Sequence, residues 1–145
     1  MTASGIKLAD ANVWLALAFD GHIHHETAKS WFETQIDESC ALCRVTQMAL
    51  LRHLTNSKIM GRFVLSQQQA WNTYDDLAQD PRVMFLDEPP ALEDEFRNLS
   101  QSLSPSHKRW TDAYLTALAK LNAAQLVSFD RGFSSFDGLD FLLLH

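Results

Sequence analysis

The sequence predicts an α/β domain, a mostly parallel central sheet with helices on both faces. Three observations lead there. Short apolar runs suited to buried strands alternate along the chain with longer amphipathic segments. Two of those runs close on an aspartate, Asp10 and Asp130, and in parallel sheets functional groups gather where strands end. The 145 residues, 46% hydrophobic and 21% charged, suit one globular domain spanning 1–145 and not a disordered or low-complexity chain.

The elements follow in order. Residues 6–10, IKLAD, form an apolar run ending on Asp10, and ANVWLALAF at 11–19 is apolar enough for a buried helix. HHETAKSWFETQI sets Ala28, Trp31 and Phe32 on one helical face. CALCRV reads as a second strand, followed by the helix TQMALLRHLTN with Thr46 as its expected N-cap. SQQQAWNTYDDLAQ is helical from a Ser66 cap, and RVMFLD is a strand closed by Pro89 and Pro90. The helix ALEDEFRNLSQSL comes next, and the polar stretch Asn98–Arg109 reads as a loop. SHKRWTDAYLTALAKLN spaces Trp110, Tyr114, Leu115 and Leu118 at helical intervals and ends near Asn122. QLVSFD and LDFLLL are the last two strands.

Charge and cysteine usage narrow the function classes. Twelve Lys plus Arg against eighteen Asp plus Glu give a net charge of -6, so any nucleic-acid role needs local basic groups or bound cations. Cys40 and Cys43 form a single Cys-x-x-Cys without the further ligands of a zinc site, and they sit in a strand-like run. Buried structural thiols are expected. No run approaches a membrane span and no secretory signal opens the chain, so a cytoplasmic protein is expected. The five scattered glycines form no phosphate-cradling loop, and no Gly-x-Ser-x-Gly elbow exists.

The acids carry the chemistry. Asp112 lies inside an otherwise apolar helix and must face solvent, a partner or a cation. If Asp10, Asp112 and Asp130 converge, a hard divalent ion, Mg2+ or Mn2+, offsets their repulsion. Such an ion generates a hydroxide nucleophile and screens a phosphodiester, which lets an acidic protein engage RNA. The plainer alternative is that Asp10 caps the following helix, Asp130 starts a turn before Gly132, and Asp112 is a surface residue.

LADANVWLAL at 8–17, TDAYLTALA at 111–119 and LVSFDRGF at 126–133 resemble the PIN-domain family, and more narrowly the VapC-type toxins of bacterial toxin–antitoxin modules. HHETAKSWF and CRVTQMALLRHLTN are similar to a subgroup common in mycobacteria and other bacteria. The resemblance implies a Rossmann-like sheet and a Mg2+- or Mn2+-dependent endoribonuclease toxin held inactive by a cognate antitoxin. It places Asp10, Asp112 and Asp130 as metal-holding catalytic acids, with Asn12 supporting the first. Ser128 stands where the family often has Thr or Ser, set to bond an acid or phosphate. One departure stands out: the family's Glu after the second strand is absent, with Ala49 or a neighbour there and Thr46, Gln47 and Arg52 the only polar candidates. Asp87 and Glu88 are the residues to examine for compensation.

The other groups have plainer expectations. His22, His24 and His25 sit at a loop-to-helix entry without HExxH spacing, which favours a structural or solvent-facing role. Arg44, Arg52, Arg62, Lys108, Arg109 and Arg131 are candidate RNA contacts. Arg131, next to Asp130, is expected to hold an acid or phosphate, whereas Lys108 and Arg109 are expected on a solvated face. Trp14, Trp31, Trp71 and Trp110 fall at core spacings, with Trp31 and Trp71 also candidates for a protein interface. Apolar faces on WFETQ and AWNTYDDL suggest a homodimer. A PIN-like domain that binds RNA or antitoxin but cuts weakly is the alternative function, and a phosphatase or receiver lacks its accompanying residues.

Overall fold

The computed structural model describes residues 4–145. Strand β1 (Lys7–Ala9) leads into α1 (Ala11–Ala18) and α2 (His25–Glu33), then β2 (Cys40–Leu42) into α3 (Arg44–Leu54). A short α4 (Ser57–Met60), a 3₁₀ turn (Gly61–Phe63) and α5 (Gln67–Ala78) precede β3 (Val83–Phe85). Helices α6 (Leu92–Gln101) and α7 (Trp110–Leu121) follow, then β4 (Gln125–Ser128), a 3₁₀ turn (Arg131–Ser135) and β5 (Phe141–Leu143).

All five strands run parallel in the order β3-β2-β1-β4-β5, with Leu8 opposite both Ala41 and Leu126. The strand alternation divides the core in two. Ala9, Leu42 and Val127 point to one face, where Trp14, Phe32, Leu50 and Tyr74 from α1, α2, α3 and α5 cover them. Leu8, Ala41 and Leu126 point to the other, against Leu92, Leu115, Leu118 and Phe133. The predicted α/β class with helices on both faces is therefore the observed one. The chain order turns outward in both directions from β1, so the topological switch lies between β1 and β4. Ligands of open α/β sheets bind outside the strand ends at such a point.

Several details differ from expectation. Cys43, not Thr46, caps α3, and the Thr46 hydroxyl reaches back to accept the Cys43 backbone N–H at 2.9 Å. The expected loop from Asn98 begins only after Gln101. Leu99 packs against the core there, and the Ser100 hydroxyl donates to the Phe96 carbonyl at 2.7 Å, which carries the helix another turn. Trp14 and Trp31 are buried as expected, but Trp71 is 44% and Trp110 58% exposed. On α5 the buried face is Ala70 and Tyr74, and Trp71 is rotated off it by about 100°. Trp110 opens α7 and packs edge-on against Phe96. Trp31 and Phe32 belong to the core, so WFETQ offers no free apolar face. Cys40 and Cys43 are free buried thiols, as the sequence suggested. Among the described residues no helix is long and apolar enough to cross a membrane.

Candidate active site

The ends of β1 and β4 bring Asp10 and Asp130 to the same edge of the sheet. Asp10 follows β1, and its backbone N–H donates to the Val127 carbonyl at 2.9 Å. Its carboxylate accepts the Ala11 N–H at 2.7 Å, so it does cap α1. The second oxygen is held from β4, where the Ser128 hydroxyl donates to Asp10 Oδ2 at 3.0 Å. That hydroxyl is wholly buried and uses its full capacity. It also accepts Asn12 Nδ2 at 3.1 Å and the Asp130 N–H at 2.9 Å. One serine thus fixes the direction of Asp10 and the backbone of Asp130 together.

Asp130 in turn accepts the Gly132 N–H at 2.8 Å and caps the 3₁₀ turn that begins at Arg131. Asp112 enters from the first turn of α7. It is not a surface residue, since its side chain is only 17% exposed. A Cβ built on Gly132 would stand 3.1 Å from Asp130 Oδ1 and 3.9 Å from Asp112 Oδ2. The two carboxylates therefore face a common space that the missing side chain of Gly132 leaves open.

The electrostatics register this crowding. Burial, and then the charge of Asp130, push the Asp112 carboxyl up to about 6, against the opposing pull of Arg109. Asp10 is also raised, first by burial, against the lowering effect of the Ala11 and Ser128 hydrogen bonds, with Asp130 adding to the rise. Ionised acids held this way fit a positive partner.

Among protein groups that partner is Arg109, where the sequence pointed to Arg131. Arg109 Nε donates to Asp112 Oδ2 at 3.1 Å. Its Nη2 reaches the Gly132 carbonyl at 3.2 Å and the Ser135 hydroxyl at 2.9 Å. Arg131 is exposed and forms no ion pair among the described residues. A periodicity argument could not have found this. Arg109 precedes α7, and only the packing of the 131–135 turn makes its guanidinium local to the acids.

The remaining candidates divide clearly. Thr46, Gln47 and Ala49 are buried in α3, with Arg44 Nη1 donating to Gln47 Oε1, while Arg52 is exposed. Asp87 and Glu88 are exposed and do not figure among the charges acting on Asp10 or Asp112. Glu88 instead accepts the Tyr114 hydroxyl at 2.9 Å, beside a 470 Å³ groove between α6 and α7 that none of the three aspartates lines. Among the histidines, His25 Nδ1 bonds the Ala16 carbonyl at 2.7 Å, and His24 stacks on Phe129 at 4.5 Å.

Among the described residues no three His, Cys, Asp or Glu side chains already stand as a complete ligand cluster. A hydrated Mg2+ does not need one, because it binds through one or two carboxylates and keeps several waters. The all-oxygen donors and the open space beside Gly132 fit such an ion.

Fold and site together define an acid-bearing domain, with carboxylates gathered at the switch point of a parallel sheet. Residues 7–139 match the family model for the PIN domain. The chain is 37% identical over 142 residues to Ribonuclease VapC41 of Mycobacterium tuberculosis, covering 94% of this chain and 97% of that one. Two solved structures share the fold. VapBC2 from Rickettsia felis, bound to a promoter DNA fragment, aligns with TM-score 0.68 and 13% identity over 97% of this chain and 99% of that one. VapC20 of M. tuberculosis, described as a sarcin–ricin loop cleaving toxin, aligns with TM-score 0.67 and 17% identity over 92% and 97%. This chain belongs to the PIN domain family.

Proposed function

We propose that this chain is the toxin of a toxin–antitoxin module, an endoribonuclease that hydrolyses RNA phosphodiester bonds with Mg2+ or Mn2+. The observation that carries the reading is the placement of carboxylates at the β1/β4 switch, with Asp10 and Asp130 following the ends of the two strands and Asp130 and Asp112 facing the space beside Gly132. The relatives' names, ribonucleases of the VapC type, support the same activity. Solved complexes named as VapBC support a cognate antitoxin as protein partner. A homodimer and a cytoplasmic location complete the proposal.

Asp10, Asp112 and Asp130 would hold the ion, which when bound supplies positive charge to the phosphodiester and acidifies water. The chain's own groups do the rest. Ser128 and Asn12 keep Asp10 aimed by the hydrogen bonds described above. The carboxylates orient the attacking water, and the exposed Lys108, Arg131, Arg44, Arg52 and Arg62 offer phosphate contacts to an otherwise acidic protein.

The test is incubation of purified total RNA with Mg2+, Mn2+ or EDTA, comparing the wild type with Asp112→Asn. Discrete fragments that need both the metal and Asp112 support the reading. Intact RNA, from folded protein free of antitoxin, overturns it. One observation favours a second reading, a domain that binds RNA or antitoxin and cuts weakly. Gln47, in the first turn of α3, is neutral and its carbonyl is taken by Arg44. Growth arrest that persists in Asp10→Ala would favour binding over cleavage.

A further inference from the structure

Arg109 is engaged on more sides than a solvated cation needs to be. Its side chain is 28% exposed, and it joins two elements that each bring an acid to the site. One end meets Asp112 Oδ2 on α7, and the other meets the Gly132 carbonyl and Ser135 hydroxyl of the turn that Asp130 caps. The guanidinium also lies over the Phe136 ring, 5.0 Å from its centre, a cation–π contact that holds it further. The oxygen it contacts, Asp112 Oδ2, is the one within 4 Å of the open point beside Gly132 that Asp130 Oδ1 shares. Arg109 thus holds the oxygen that faces the neighbouring acid.

We propose that Arg109 is a positioning residue that serves as the built-in counter-cation of the metal-free site, clamping Asp112 to the 131–135 turn and yielding Asp112 Oδ2 when a divalent ion binds. This rests on the metal-dependent reading above. Like-charged carboxylates held together disfavour each other's ionised form unless a positive charge offsets them, and among the described residues the Arg109 guanidinium is the cation bonded to one of them. Donors on separate nitrogens of its rigid fork let one side chain bridge a carboxylate, a carbonyl and a hydroxyl, where a lysine ammonium offers a single nitrogen.

The experiment needs no RNA. Wild type, Arg109→Gln and Arg109→Lys are compared by thermal melting in EDTA and in saturating Mn2+, and by calorimetric titration with Mn2+ alone. Arg109→Gln should melt lower than wild type in EDTA, and Mn2+ should close most of that gap. Its Mn2+ dissociation constant should fall about three- to five-fold, the size expected when a partly exposed ion pair stops competing. Arg109→Lys, which keeps the charge and loses the fork, should fall between them. An equal melting deficit with and without Mn2+, at unchanged Mn2+ affinity, would make Arg109 a structural strut and overturn the proposal. So would a weakened Mn2+ affinity, which would make the clamp a prerequisite for the ion and not its competitor. Should Arg109→Gln fail to fold, the Arg109→Lys titration carries the same decision. Failure of the ribonuclease reading would show separately, as wild type that binds Mn2+ and leaves RNA intact.

Discussion

Ser128 donates its only hydroxyl proton to Asp10 Oδ2 at 3.0 Å from a position that solvent does not reach. Ser128 Oγ also accepts Asn12 Nδ2–H and the Asp130 N–H, so β4 sets the geometry of two acids through one atom. A buried hydroxyl with three partners is costly to remove, because each partner is then left unsatisfied.

Ser128→Ala should therefore destabilise the protein by about 1–3 kcal/mol, and lower RNA cleavage more than that loss of folded protein explains. Urea denaturation paired with a cleavage assay on the folded fraction checks both halves. A stable variant with normal cleavage would remove Ser128 from the site.

Gly132 lacks a side chain where one would crowd the acids. Its backbone is not in the left-handed region, so alanine brings no backbone strain, but the added Cβ would stand 3.1 Å from Asp130 Oδ1 and the carboxylate must give by a few tenths of an ångström. The Gly132→Ala variant is expected to fold, with the Asp130 cap of the 131–135 turn displaced, and to bind Mn2+ more weakly, as calorimetric titration would read. Unchanged Mn2+ affinity would mean that the ion does not sit in this space.

Asp112 sets a pH dependence whose sign can be worked out. Its carboxyl is raised from 3.8 to about 6 by burial and by Asp130, so the folded state takes up a proton more readily than the unfolded chain. The stability this contributes is fully present below about pH 4 and is lost as pH rises through about 6. Asp10 is raised too and acts in the same direction. In EDTA the melting temperature should fall over that interval, and Asp112→Asn should flatten the fall. At neutral pH the same variant should melt higher than wild type while losing cleavage, since the amide carries no charge to accommodate. A melting curve indifferent to the substitution would contradict this account.

The thiols predict slow chemistry. Cys40 and Cys43 are buried, and burial pushes the Cys40 thiol up to about 11, so little thiolate exists at neutral pH. Labelling by a thiol reagent should be slow in buffer and complete in denaturant. Fast labelling of the native protein would require an opening that the structure does not display.

The sequence by itself determined the α/β class, because strand-length apolar runs and 3.6-periodic helices differ in spacing and each had to bury its apolar side. It also placed Asp10 and Asp130, because a polar residue one step beyond a buried strand emerges at the sheet edge whatever the surroundings. Boundaries at Thr46 and Asn98 differ from the sequence pattern, because a back-bonding hydroxyl and the packing of Leu99 outweigh local propensity. Tertiary structure alone decided which cation meets the acids. Arg131 is adjacent to Asp130 in the chain yet points outward, while Arg109 is 23 residues from Gly132 and bonds its carbonyl. It likewise decided which tryptophans are covered, since Trp71 and Trp110 carry core spacing and stand exposed. The physical reason is common to both. Periodicity fixes the direction of a side chain relative to its own element, but what it meets depends on where other elements pack.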